Sequence, residues 1–158
     1  MATPPIDETT LLDAGCPDAF RLMTTDLGRW WPADYTWSGD ALEDIRIDPR
    51  VGGRCLEVDA DGTERVWGTV TECEPGRRLA FSWQIDPDRS PPPDPERASV
   101  VRMAWEPAGD GCRVHLVHEE FDRHPGDGGA YRDGMASEAG WPLLLRRYAA
   151  ACAGEGRD

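Results

Sequence analysis

Two histidines three residues apart, His115 and His118, stand in the stretch RVHLVHEEF and are the first place to look for chemistry. The stretch alternates apolar and polar residues, so it reads as a strand with Val114, Leu116 and His118 on one side and His115 on the other. Two strand residues at odd separation do not converge, which argues against a shared metal ion. His118 is instead the one titratable group that this alternation sends inward. There it is either a core histidine satisfied by a neighbour or a hydrogen-bond donor and general acid/base at the end of an apolar pocket, where desolvation lowers its pKa. Glu57 is a second candidate with two conflicting readings. Leu56 and Val58 imply that it points outward; pointing inward, it would need a partner such as His118 or Arg102, because a buried unpaired charge neutralises instead. Arg54, Glu119 and Glu120 read as solvated positions.

Other chemistries lack their residues. Ser38, Ser82, Ser90, Ser99 and Ser137 sit in no GxSxG elbow, and no HExxH, dinucleotide-binding glycine fingerprint or calcium loop occurs. All seventeen basic residues are arginine, which leaves no lysine for a Schiff base or a Walker-type phosphate loop. No cofactor is implied. The five cysteines, Cys16, Cys55, Cys73, Cys112 and Cys152, form no CxxC pair, so neither a disulfide framework nor a zinc knuckle is expected. A formal charge of −13 repels nucleic acid and anionic lipid. With no basic apolar leader and no apolar run of membrane-spanning length, the expectation is a cytoplasmic protein.

The elements that must hold these residues can be read in turn. A chain of 158 residues is expected to make one domain over residues 1–158, burying roughly 70% of its unfolded surface. Ile6 to Ala14 is an opening strand. Pro17 starts a helix whose apolar stripe runs through Phe20, Leu22 and Met23 toward Trp30 and Trp31, with Pro32 ending it. Strands follow at 42–48, 54–59, 67–73, 79–85, 99–105 and 113–121, with turns at Asp61-Gly62 and Glu74-Pro75-Gly76. DPDRSPPPDPE, about residues 86–97, reads as a mobile Pro-rich loop without core residues. From about 127 to 152 the pattern is a long C-terminal helix with Trp141, Leu144, Leu145, Tyr148 and Cys152 on one face, kinked by Gly140 and Pro142. The sum is an α+β domain of six to seven antiparallel strands, with two short helices after the first strand and the long helix covering one sheet face.

Several segments also resemble a known family: AFRLMTTDLGRWWP, VGGR followed by DG, WGTVTECEP, RRLAFSW, RVHLVHEEFDRH and GWPLLLRRYA, in family order from about Ile6 to Ala151. They are similar to the START-like (SRPBCC, birch-pollen-allergen-like) helix-grip superfamily, and within it to bacterial proteins resembling the activator of the heat-shock-protein ATPase. The resemblance implies a curved sheet wrapped around the C-terminal helix with a cavity between them. It also matches His118 to the histidine before the final helix and suggests an inward acid at Glu57.

If the cavity face is the one carrying Phe81 and Trp83, its lining should include Val70, Met103, Trp105, Leu116 and His118 from the sheet, and Trp141, Leu145 and Tyr148 from the helix. Each ring could equally be ordinary core. The leading functional expectation is a binding protein or carrier for a small hydrophobic or aromatic molecule. The alternatives are a cyclase- or dehydratase-type cavity enzyme using His118, and an interaction module for a chaperone-type ATPase, against which the missing lysines count. Adjacent Trp30 and Trp31 on a helix lie about 100° apart and cannot share one core; one should be exposed or close the cavity mouth, which would favour a homodimer.

Overall fold

The computed structural model describes residues 3–90 and 95–154. Seven strands form one antiparallel sheet: β1 (Ile6–Leu12), β2 (Leu42–Ile47), β3 (Arg54–Asp59), β4 (Glu64–Glu74), β5 (Arg78–Trp83), β6 (Ser99–Ala108) and β7 (Gly111–Glu119). Their spatial order, β1-β7-β6-β5-β4-β3-β2, is that of a meander closed by the first strand pairing with the last. Alternation decides the inner face. Leu79, Phe81 and Trp83 on β5, Val101, Met103 and Trp105 on β6, and Val114, Leu116 and His118 on β7 are all buried, while Arg102, Arg113 and His115 face out. Register aligns Phe81, Val101, His118 and Ile6 as one row across four strands.

Helices α1 (Cys16–Met23), α2 (Gly128–Met135) and α3 (Trp141–Cys152) make the second layer. From α1 come Ala19, Phe20 and Met23, and from α3 Trp141, Leu144, Leu145 and Tyr148, packed on the sheet's inner face. This is the two-layer α+β helix-grip architecture. Among the described residues no helix is long and apolar enough to cross a membrane.

Three local expectations are corrected. Only one α-helix follows β1; beyond Met23 the chain makes single 3-10 turns at Leu27–Arg29, Ala33–Tyr35 and Gly39–Ala41. Freed from helical geometry, Trp30 and Trp31 turn to different walls and are both buried, at 5% and 6% exposure. Trp30 stacks on Tyr148 of α3 at 5.2 Å and Trp31 on Trp67 of β4 at 5.8 Å, so the exposed indole that would have favoured a homodimer does not exist. The C-terminal helix is two helices rather than one kinked rod. Gly140 sits where a Cβ would lie 2.1 Å from the Met135 carbonyl oxygen, and Pro142 lies in the first turn of α3, so the helix ends and restarts. In the Pro-rich segment, residues 91–94 lie outside the described residues. Its first residue, Asp86, belongs to the interior after all.

Candidate functional site

The middle of the two-layer sandwich is filled. Phe20 meets Trp105 edge-on at 5.0 Å, Trp105 donates its indole N–H to the Tyr148 hydroxyl at 3.0 Å, and that hydroxyl donates to the Ala19 carbonyl. Space remains at the end of the sheet where β5 stops, β6 begins and β7 stops. There a partly open cavity of about 290 Å³ lies between the 35–37 turn, the 83–89 segment, α2 and the α2–α3 junction. Its walls include Trp31, Trp37, Trp83, Tyr131, Met135 and Leu144, with Glu57, Asp86 and Arg89 as charged members.

Each wall is pinned from behind. Glu57, 2% exposed, stands where β3 shifts register against β4 and accepts from the backbone N–H of Trp37 and Ser38 at 3.1 and 2.8 Å and from the Ser38 hydroxyl at 2.6 Å. Its charge is thereby spent on holding the 36–38 turn, and Arg65 extends the network to Ser38 and Asp59. Across the mouth, the Trp37 indole donates to the Arg89 carbonyl, and Arg89 adopts a left-handed backbone at φ 72°. Trp83 donates to the Tyr131 hydroxyl at 2.9 Å, which itself donates to the Ile85 carbonyl. Burial pushes the Tyr131 phenol well above its usual range, so it remains a neutral donor. Trp31 and Trp67 have buried indole N–H groups without partners among the described residues and are held by ring packing alone.

Behind Trp83 runs a buried polar chain. The Trp141 indole lies 2.9 Å from His118 Nδ1; His118 Nε2 lies 2.8 Å from Ser99 Oγ; Ser99 Oγ lies 2.8 Å from His124 Nε2; His124 Nδ1 lies 2.8 Å from Asp86 Oδ1. The proton positions follow from groups that have no choice. Indole N–H only donates, so His118 Nδ1 accepts and its proton sits on Nε2, pointing at Ser99. The Ser99 backbone N–H also donates to His124 Nε2, at 3.0 Å, so that nitrogen carries no proton. His124 therefore holds its proton on Nδ1 and donates it to Asp86. Every donor points toward Asp86, and both imidazoles are neutral. Burial holds the His118 imidazole well below its usual 6.5, in agreement with that tautomer.

Ser99, His124 and Asp86 match the hydrogen-bond order of a hydrolytic triad, but the fully buried Ser99 is not on the cavity wall and cannot meet a substrate. The group at the cavity is Asp86, whose side chain is 7% exposed. His118 itself is fully buried behind the wall, between Phe121 at 4.2 Å, Trp83 at 5.5 Å and Trp141 at 6.0 Å.

Of the residues singled out from sequence, the structure brings Trp83 and Glu57 to the cavity. Phe81, Trp105, Met103, Val70, Leu116, Trp141, Leu145 and Tyr148 are packed core beneath or beyond it. Arg102 is on the outer face, paired with Glu119 at 2.8 Å, and Glu57 meets neither it nor His118. Sequence reasoning missed Asp86, Ser99 and His124. The signal was the meander itself, in which the C-terminal ends of β5 and β7 and the start of β6 must share one end of the sheet. It also missed Trp31 and Trp37 as wall residues, since turns carry no periodicity, and Tyr131, which stands on the short helix α2. Among the described residues no cluster of three or more potential metal ligands occurs, and all five cysteines are free thiols. A second hollow, of about 300 Å³, lies at the opposite end of the strands, where Arg113 and His115 already pair with Glu106 and Asp7.

Comparison with known proteins bears on this geometry. The sequence profile described as "Activator of Hsp90 ATPase homolog 1-like protein" matches residues 18–152. No curated protein sequence matches significantly. Among solved structures, an anthrahydroquino-gamma-pyrone synthase, Txn09, complexed with SUM is 33% identical with a TM-score of 0.65, the alignment covering 94% of this chain and 96% of that one. CalC, a self-sacrificing resistance protein from Micromonospora echinospora, is 22% identical with a TM-score of 0.65, covering 98% of each chain. The Aha1 dimer from Colwellia psychrerythraea is 17% identical with a TM-score of 0.61, covering 95% of this chain and 96% of that one. The last two likenesses concern the fold.

Proposed function

The chain belongs to the Activator of Hsp90 ATPase homolog 1-like family, and from that premise we propose that it binds a compact aromatic molecule in the cavity at the end of β5, between Trp31, Trp37 and Trp83. The observation that carries this reading is the wall itself. Three indoles and two phenols stand around a mostly apolar space of about 290 Å³, at the small end of the roughly 300–1,000 Å³ typical of ligand pockets. Such a volume suits a fused-ring molecule better than a long acyl chain. The likeness to a synthase of an anthrahydroquino-gamma-pyrone supports the same ligand class.

A chaperone-type ATPase or a second copy as partner would need a docking face. The exposed large hydrophobic side chains among the described residues are Leu11 and Val51, one on β1 and one in the β2–β3 turn, and two isolated residues make no apolar patch. The surface therefore favours the small ligand over a protein.

The test is titration with β-naphthol, read as quenching of tryptophan fluorescence. Saturable binding is expected in the wild type. In Gly134→Leu the new Cβ has no atom within 4 Å and stands at the cavity rim, so the side chain should block binding while the fold is kept, since glycine is a poor helix former. Absence of saturable binding in the wild type, or equal binding in Gly134→Leu, would overturn the assignment of the ligand to this cavity.

A further inference from the structure

We propose that Asp86 is a general base: its Oδ2 removes a proton from a carbon next to a carbonyl of a ring compound bound in the cavity, and the buried chain His124–Ser99–His118–Trp141 positions it for that step. The inference rests on the ligand reading above and adds a reaction to it. The argument starts from asymmetry at one carboxylate. Asp86 Oδ1 is occupied, taking the His124 Nδ1 proton at 2.8 Å, whereas Oδ2 has no hydrogen-bond partner among the described residues and belongs to a side chain on the cavity wall. The supporting chain is longer than a structural histidine requires. A single backbone carbonyl would satisfy His124; here two imidazoles, a serine and an indole are aligned so that each fixes the tautomer of the next. Their common result is that His124 always presents N–H to Asp86, which locks the carboxylate's rotation and leaves Oδ2, the oxygen without a partner among the described residues, free to act.

The step balances without any further reagent. The substrate C–H bond breaks, an O–H bond forms on Asp86 Oδ2, and the electron pair moves into the carbonyl to give an enolate. The same proton, or one exchanged with water through the mouth, returns to carbon or oxygen of the enolate; where the enolate carbon instead closes a ring onto a second carbonyl of the molecule, that C=O π bond breaks and the alkoxide formed takes the proton from Asp86 Oδ2, which regenerates the base. Nothing is oxidised or reduced. Protonated Asp86 still accepts from His124 at Oδ1, so the chain keeps its geometry throughout. The developing negative charge has a counterpart on the same turn. Arg89 closes that turn through its N–H to the Asp86 carbonyl at 2.7 Å, lines the cavity, and forms no ion pair with a described carboxylate. The enolate oxygen is then held by a cation three residues from the base.

β-Tetralone, the ketone analogue of β-naphthol, tests this directly. In deuterated buffer, wild-type protein should accelerate deuterium uptake at the carbon between the carbonyl and the aromatic ring, followed by NMR. Asp86→Asn, of the same size and able to keep the His124 bond, should lose roughly a hundredfold or more of that rate while competing normally for naphthol. His124→Asn, whose amide can still donate to Asp86, should retain more rate than His124→Ala, with the difference in turnover rather than in apparent affinity; circular dichroism of both variants separates this from misfolding. Full exchange in Asp86→Asn, or tetralone binding with exchange no faster than in buffer, would overturn the base and leave the ligand site standing. Failure of both naphthol and tetralone to bind would remove the ligand site, and the base with it.

Discussion

Replacing His118 with asparagine offers a quantitative check on the buried chain, because it alters how stability varies with pH and not only its size. In the folded protein His118 is neutral: an indole N–H occupies Nδ1, and burial holds the imidazole well below its usual 6.5. The unfolded chain takes up a proton near 6.5, so at lower pH the unfolded state binds more protons than the folded one. The contribution of neutral His118 is thus complete above pH 6.5 and is lost as pH falls. Its slope is about 1.4 kcal/mol per pH unit for one proton. Asparagine can accept from Trp141 but cannot reach Ser99, and it gives up the ring contact with Phe121 at 4.2 Å. About 1 to 3 kcal/mol should be lost near neutrality, the cost of stranding a buried partner. Asparagine does not titrate, so the gap between the two proteins should close by about 1.4 kcal/mol between about pH 7.5 and about pH 5.5. Urea unfolding followed by tryptophan fluorescence at several pH values measures both curves. His124 and Asp86, the titratable groups along the same chain, are present in both proteins. Parallel curves would refute the neutral, indole-capped His118.

Two further substitutions probe the cavity walls. Trp83→Ala removes a ring packed against Trp67, Trp141 and His118 and the donor to Tyr131, and should cost about 3 to 5 kcal/mol in denaturant unfolding; a loss below 1 kcal/mol would mean that the ring is not part of the packed layer. Glu57→Gln places an amide where three donors converge, and should cost about 1 to 3 kcal/mol and weaken β-naphthol binding through the loosened 36–38 turn. Unchanged stability would show that the carboxylate does not hold that turn.

The sheet was legible because two-residue alternation is a local signal and each strand carries it in full: Leu79, Phe81 and Trp83 declare their face without reference to anything else. His118 was legible for the same reason. Alternation tells which side faces the second layer, but not whether that layer is filled there. Phe20, Trp30 and Tyr148 fill it along most of the sheet, and no pattern in the strands announces this. The cavity survives where turns complete the wall, so Trp37 was invisible, and Tyr131, on the short helix α2, belongs to no apolar stripe long enough to point at it. Glu57 in fact keeps the alternation of β3, buried on the same side as Cys55 and Asp59; apolar Leu56 and Val58 misled because they lie on the other side of that strand. Of the two outcomes expected for Trp30 and Trp31, an exposed indole is not met, because the segment has ceased to be helical and both rings are buried, whereas Trp31 does stand on the cavity wall. Asp86 was lost for a different reason. Its proline-rich surroundings advertise a loop, yet its carboxylate is bound to a histidine thirty-eight residues away, and such a bond leaves no trace in local composition.

Because the strands run antiparallel, their hairpins sort the molecule into two poles. The Asp86 chain and the cavity occupy one pole, while the Glu74–Arg78 and Ala108–Gly111 turns lie at the other. Gly76 and Gly109 in those turns have left-handed backbones and open space beside them. A surface tether or a fluorescent reporter inserted at Ala108–Gly111 would hold the protein by its inert pole and leave the aromatic mouth facing solution. The same polarity means that sequence drift at these hairpins is remote from the cavity, whereas a one-residue insertion or deletion in the short run from Trp83 to Arg89 would shift wall, carboxylate and cation together.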